Sequence, residues 1–185
     1  METQNIMADK WPGKIDDDKP SIYVACLASY NSGILHGRWI TPSSDEETLQ
    51  NQINQILKSS SIPDAEEWAV HDYNNFYNLG EYPGLKKICE LAEAYEAQNN
   101  DYLKVNGYIE HFGIEALSNL EDAFYGEYSS FDDFANNYAD ETIPELQDGT
   151  TIARYFDYES FSQDLGFDFV ETEAPGGNVY IWRNF

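Results

Sequence analysis

Between Lys104 and Arg154 the chain carries no lysine or arginine, yet the same stretch is crowded with aromatic rings. Phe124, Tyr125, Tyr128, Phe131, Phe134 and Tyr138 run through residues 117–141 beside seven carboxylates. A purely acidic segment stays solvated, because it cannot bury enough apolar surface to offset its ordering entropy. Here each large ring can remove roughly 150–250 Å² from water, so the segment is expected to fold. It has to fold without the opposite-charge pairs that support exposed helices by about 0.2–0.5 kcal/mol each. The outcome is a folded surface whose negative charge is not cancelled within the segment.

The whole chain shares this imbalance. Its 185 residues hold 34 acids and 10 bases, a formal net charge of -24, with 42% hydrophobic and 15% aromatic residues. That length allows one domain, or two or three small ones, to bury well over half of the unfolded surface. The charge repels nucleic acid and anionic membranes and favours a strongly basic partner. Residues 1–20, with Pro12, Gly13, Asp16, Asp17, Asp18 and Pro20, read as a flexible polar extension. They contain no apolar run, so neither a signal peptide nor an anchor is expected. No stretch reaches the length of a membrane span. Cys26 and Cys89 lie in apolar contexts, which reads as two buried free thiols in a cytoplasmic protein.

Hydrophobic spacing then divides the chain into three segments of an α+β fold. In the first, 21–76, residues 21–30 (SIYVACLASY) and 34–40 (ILHGRWI) read as antiparallel strands around the NSG turn at 31–33. Pro42 stops the second strand, and Ser43 with Glu46, or Ser44 with Glu47, fits a capping box. Leu49, Ile53, Ile56 and Leu57 line one face of the helix that follows, and residues 67–73 (EWAVHDY) form a third strand. The middle segment, 77–122, is helical. Leu85, Ile88, Cys89, Ala92 and Tyr95 keep helical spacing up to a break at 99–101. Val105, Ile109 and Phe112 resume it, and beyond Gly113 it continues through Ile114, Leu117, Leu120 and Phe124. The last segment, 123–185, combines helices with strands. Ser130 opens a helix with Phe131, Phe134, Ala135 and Tyr138 on its apolar face, and residues 150–165 read as another helix. Residues 167–173 and 178–184 close the chain as a hairpin.

No catalytic constellation emerges. His36, His71 and His111 have no ligand spacing on a helix and no adjacent cysteine, so no metal site is expected. His71-Asp72 could begin a triad, but a strand histidine followed by a turn acid is the ordinary reading. Nucleophile elbows, phosphate loops and dinucleotide glycine patterns are missing, and Gly176-Gly177 reads as a hairpin turn. Asp16–18 lacks the alternating ligands of a calcium loop. No cofactor is expected. Two suitably spaced carboxylates could hydrolyse a glycoside, but 34 acids supply some pair at any distance. A carboxylate-dependent hydrolase stays open as an alternative with no residue to single out.

The charge is the better guide. Eleven acids run from Glu110 through Glu115, Glu121, Asp122, Glu127, Asp132, Asp133, Asp140, Glu141 and Glu145 to Asp148, with no base among them. Acids three or four positions apart on a helix lie about 5–6 Å from each other. Phosphates advance roughly 3.4 Å per strand step and lie off the axis, so the spacings are comparable. Such a surface can present a duplex-like field to a DNA-binding cleft. It also suits life in high salt, plain solubility, or an acidic adaptor with a basic protein partner. Crowding is expected to raise carboxylate pKa values, so that stability falls as pH rises through that window and salt restores part of it.

Four ordered motifs resolve the choice. IYVACLASYNSGILHGRWI (22–40), VHDY (70–73) with LGEY (79–82), YGEYSSFDDFA (125–135) and YFDYESFSQDL (155–165) together resemble the ArdA-type antirestriction family. The resemblance covers the chain from Ile22 to Arg183. It departs at the N-terminal extension and at Gln163, where the family motif is expected to carry arginine. It implies a DNA mimic that is not an enzyme: an elongated homodimer of three-domain subunits, encoded by mobile genetic elements. Such a mimic occupies the DNA groove of Type I restriction-modification enzymes, chiefly at the methyltransferase core. The antirestriction motif then comprises Tyr155, Phe156, Asp157, Tyr158, Glu159, Phe161, Asp164 and Leu165, and its acids Asp157, Glu159 and Asp164 join the eleven above as phosphate mimics. A dimer doubles the -24 charge, matching the phosphates of about 24 base pairs.

Overall fold

A computed structural model describes residues 19–146 and 151–184. The chain divides into two compact units, Met1–Tyr102 and Leu103–Phe185. The fold class is α+β, with two antiparallel three-stranded sheets and seven helices among the described residues. Most of the expected 1–20 extension, and Asp148, lie outside the described residues.

In the first unit, β1 (Ser21–Cys26) is the central strand. Ile22, Val24 and Cys26 on one face and Ala25 on the other are buried, which explains the continuous apolar run. The strand is shorter than the ten residues expected. Its second half is a helical turn, α1 (Leu27–Asn31), because none of Leu27, Ala28, Ser29, Tyr30 and Asn31 is β-branched and Gly33, at φ +75, supplies the left-handed exit. Next, β2 (Gly37–Ile40) and β3 (Trp68–Asn74) flank β1 in the order β2-β1-β3. Between them runs α2 (Glu46–Lys58), burying Leu49, Ile53, Ile56 and Leu57 as their spacing predicts. Its cap is Asp45 and neither expected serine: Asp45 accepts from the Thr48 N–H at 2.7 Å, while Ser44 donates to Glu96. A carboxylate is the stronger acceptor at the positive end of a helix. α3 (Leu85–Ala97) packs on α2 and ends where Asn99 and Asn100 turn left-handed.

From Leu103 the second unit takes in all but the first residue of α4 (Tyr102–Phe112), which is stopped by Gly113 at φ +84. The helix expected to continue through Phe124 does not. A 3-10 turn over Ile114–Asn119 leads to the single turn α5 (Leu120–Ala123) and then to an unforeseen strand, β4 (Phe124–Tyr128). After α6 (Phe131–Thr142), the helix expected over 150–165 is also cut back. A 3-10 turn at Ile152–Arg154 precedes α7 (Tyr158–Leu165), because Asp157 caps α7 and so sets its start. β5 (Phe169–Glu173) and β6 (Val179–Arg183) form the expected hairpin, and β4 joins β6 to give the order β4-β6-β5.

This second sheet carries a layer on each face. Tyr180 and Trp182 of β6 point to the α4 side, where Trp182 meets Tyr108 at 5.0 Å and Phe124 at 5.2 Å between ring centroids. Ile181 points the other way, into a core with Phe134, Ala135, Leu165 and Phe169. A bulge between Phe124 and Gly126 lets Tyr125 share this second face, packed on Phe134 at 5.1 Å. Tyr125 and Tyr128 from the sheet thus meet Phe131, Phe134 and Tyr138 of α6 in one core, while Phe124 packs on the other face with Trp182.

Candidate functional site

The amphipathic pattern of α6 fixes which of its residues face water. Phe134, Ala135 and Ala139 are buried and Tyr138 is half-buried. What remains are two rows at i, i+4, i+8: Asp132, Asn136, Asp140 and Asp133, Asn137, Glu141. Carboxylates occupy both ends of the helix and asparagines occupy the middle. Acids within one row thus stand about 12 Å apart along the axis, eight residues at roughly 1.5 Å each, and not the 5–6 Å expected. Counting acids did not reveal which turn they fall on. The three-residue spacing does occur in the first unit, on α3, through the exposed Glu90, Glu93 and Glu96. None of these three is among the acids expected to mimic phosphates.

Neutral donors hold several of these carboxylates. Ser162 on α7 donates to Asp132 Oδ1 at 2.6 Å, and the Tyr158 hydroxyl donates to Asp140 Oδ1 at 2.8 Å. The two contacts run α6 and α7 antiparallel. The Ser129 hydroxyl donates to Asp133 at 3.0 Å, and Asn178 donates to Glu127 on β4 at 2.7 Å. Asp157 accepts from the Ser160 N–H at 3.0 Å and from its hydroxyl at 2.8 Å. Hydroxyl and amide donors fix a carboxylate while leaving its charge whole, which a lysine or arginine would not do. These acids thus have hydrogen-bond partners, while α6 and α7 themselves carry no lysine or arginine.

Electrostatics follow from these contacts. Hydrogen bonds from Ser160, first through its backbone N–H, hold the Asp157 carboxyl below the usual range. The Thr48 hydrogen bonds do the same for Asp45. Neither follows the expectation that crowding raises carboxylate pKa values, because cap donors favour the ionised form. Donation to Asp140 pushes the Tyr158 phenol up. Burial, and then Glu141, push up Tyr125, so that phenol stays neutral. Acids also occupy positions that a helix disfavours. Asp140 and Glu141 in the last turn of α6, and Asp164 near the end of α7, face the negative pole of the macrodipole.

The other anticipated residues are spread over the second unit. Glu110 is exposed on α4, Glu115 on the 3-10 turn, Glu121 and Asp122 on α5, Glu145 after α6 and Glu159 on α7. In the motif, Tyr155 is 84% exposed and Leu165 is buried, while Phe156, Tyr158 and Phe161 are half-buried. The fold brings the motif's α7 against the acids of α6, a proximity that no spacing rule predicts. Ser129, Ser162 and Asn178 were missed as donors; the alternation of hydroxyls at Tyr158, Ser160 and Ser162 was the available signal.

The enzymatic leads do not converge. His71 Nε2 lies 3.9 Å from Glu81 and its ring meets Tyr30, while Asp72 accepts from the Tyr73 N–H, so His71 and Asp72 do not form a dyad. Among the described residues, no group of three or more His, Cys, Asp and Glu is placed to hold a metal ion. No described helix is long and apolar enough to cross a membrane.

The second unit is thus an acidic α+β fold whose carboxylates on α6 and α7 are held by neutral donors. The chain belongs to the antirestriction protein (ArdA) family, whose family model matches residues 22–178. Comparison with curated proteins gives no match.

Proposed function

We propose that this chain inhibits Type I restriction-modification enzymes by mimicking DNA, occupying the groove of the methyltransferase core. Family membership makes antirestriction the class of activity and restriction enzymes the class of partner. The observation that supports mimicry is the pinning of Asp132, Asp133, Asp140 and Asp157 by neutral groups, which holds an array whose charge no cation of α6 or α7 cancels. Phosphates on a duplex have the same two properties, fixed position and uncancelled charge. Exposed Glu110, Glu115, Glu121, Asp122, Glu127, Glu141, Glu145, Glu159 and Asp164 extend the array on this reading, as does Asp148.

The working form is a homodimer acting in the cytoplasm, with no cofactor and no chemistry of its own, carried by a mobile element that must survive entry. It competes with DNA and does not bind it. The deciding experiment is displacement of a fluorescent duplex from a purified Type I methyltransferase. Displacement that weakens as salt rises supports mimicry. A direct shift of DNA by the protein, or displacement indifferent to salt, overturns it.

A further inference from the structure

We infer that Ser162 and Tyr158 are positioning residues for inhibition, acting through Asp132 and Asp140. This rests on the mimicry reading and adds to it the means by which the array is held. Each hydroxyl comes from α7 and binds Oδ1 of a carboxylate on α6, across 30 residues for Ser162 and 18 for Tyr158. Neither bond is a local turn or helix cap. They lie at opposite ends of the antiparallel helix pair, so they fix two carboxylates about 12 Å apart along α6. In both acids the second oxygen, Oδ2, accepts no hydrogen bond from a described residue and is left for a cation of the partner. Ser162 is itself buried, so its hydroxyl has little choice of solvent partners.

A carboxylate already fixed in place loses less freedom when a partner binds. Removing one hydroxyl should therefore weaken inhibition roughly two- to tenfold, the range for ordering a side chain on association. The net charge of -24 is unchanged by either substitution, so long-range attraction and its salt slope should stay as they are.

The test uses the full chain and displacement of a labelled duplex from a Type I methyltransferase. Ser162→Ala and Tyr158→Phe should each raise the concentration needed for displacement, chiefly by faster dissociation, with the salt slope retained. Ser162→Thr keeps a hydroxyl and should rescue. The discriminating measurement is a double-mutant cycle: in an Asp132→Asn background Ser162→Ala should cost nothing further, and likewise Tyr158→Phe with Asp140→Asn. Equal losses with and without the acid would mean a merely structural role and overturn the inference. Should Ser162→Ala misfold, Tyr158→Phe decides alone, since it keeps the ring that packs on Phe156 at 4.8 Å. If neutralising both acids leaves displacement intact, mimicry by this surface has failed. If that neutralisation weakens displacement while the hydroxyl variants match the parent, only the positioning role has failed.

Discussion

Replacing Gly107 by alanine should destabilise the second unit, although the same change in a free helix would stabilise it. Gly107 lies inside α4, where alanine has the advantage by about 1 kcal/mol in propensity. Against this, a Cβ at position 107 would stand 2.8 Å from both Cβ and Oγ1 of Thr172 on β5. That hydroxyl accepts the indole N–H of the fully buried Trp182 at 2.8 Å. Relieving the clash means either moving α4 off the sheet or rotating Thr172. Overpacking costs about 1–3 kcal/mol, and an indole N–H left unsatisfied costs a further 1–3 kcal/mol or so. The net loss is on the order of 1–5 kcal/mol once the propensity gain is subtracted. Equilibrium urea unfolding followed by circular dichroism measures it. Thr172→Ala should also destabilise, but the double variant should lose less than the two single losses together, because the added methyl then meets fewer atoms. An alanine variant that unfolds at higher urea than the parent would refute this account of the α4–sheet contact.

Four other outcomes can be checked alongside it. Neutralising Asp132, Asp133, Asp140 and Glu141 together, to asparagine or glutamine, should visibly weaken displacement of DNA from the methyltransferase while melting temperature holds or rises; a single change at Asp132 or Asp140 should cost at least as much as its hydroxyl variant and less than the four together. Raising salt from low to moderate at neutral pH should raise the parent's melting temperature, since screening relieves self-repulsion. Asp157→Ala should melt lower than the parent at neutral pH and Asp157→Asn much less so; because the folded carboxyl titrates below its ordinary 3.8, this gap is fully present above that value and should close as pH falls through the lowered one. Tyr95→Phe should cost about 1–3 kcal/mol in urea unfolding, because the buried hydroxyl accepts the Tyr77 N–H at 2.7 Å and phenylalanine leaves that donor unmatched.

Periodic segments were legible in the sequence, and segments decided by tertiary contacts were not. The faces of α2 and α3 follow from 3.6-residue spacing, and the closing hairpin from turn chemistry around Gly176 and Gly177, both at positive φ. β4 was read as the end of a helix because Leu117, Leu120 and Phe124 keep helical spacing. What makes Phe124 a strand residue is its pairing with Trp182, far along the chain. The helix over 150–165 failed for a local reason: Asp157 is a better cap than an interior residue, and its side chain bonds Ser160. The acids themselves were visible from composition. Their arrangement in rows, and their attachment to hydroxyls of another helix, depend on how α6 meets α7, which only the fold determines.

The placement of the few cations bears on why such a surface persists. None of the second unit's three bases, Lys104, Arg154 and Arg183, lies on α6 or α7. Lys104 has its Nζ 3.4 Å from the centre of the Phe124 ring, and Arg183 lies 5.8 Å from that of Phe169. Both thus lend charge to aromatic rings of the sheet, where cation–ring contacts contribute about 0.5–1 kcal/mol at exposed sites and more when desolvated. Meanwhile the last turn of α6 carries Asp140 and Glu141 and that of α7 carries Asp164, where a lysine would complement the macrodipole. Stability alone would favour that lysine, and the proposed mimicry supplies a reason for the acids that stability does not. Rings provide the burial, neutral donors provide the rigidity, and the unspent charge is what a basic partner can use.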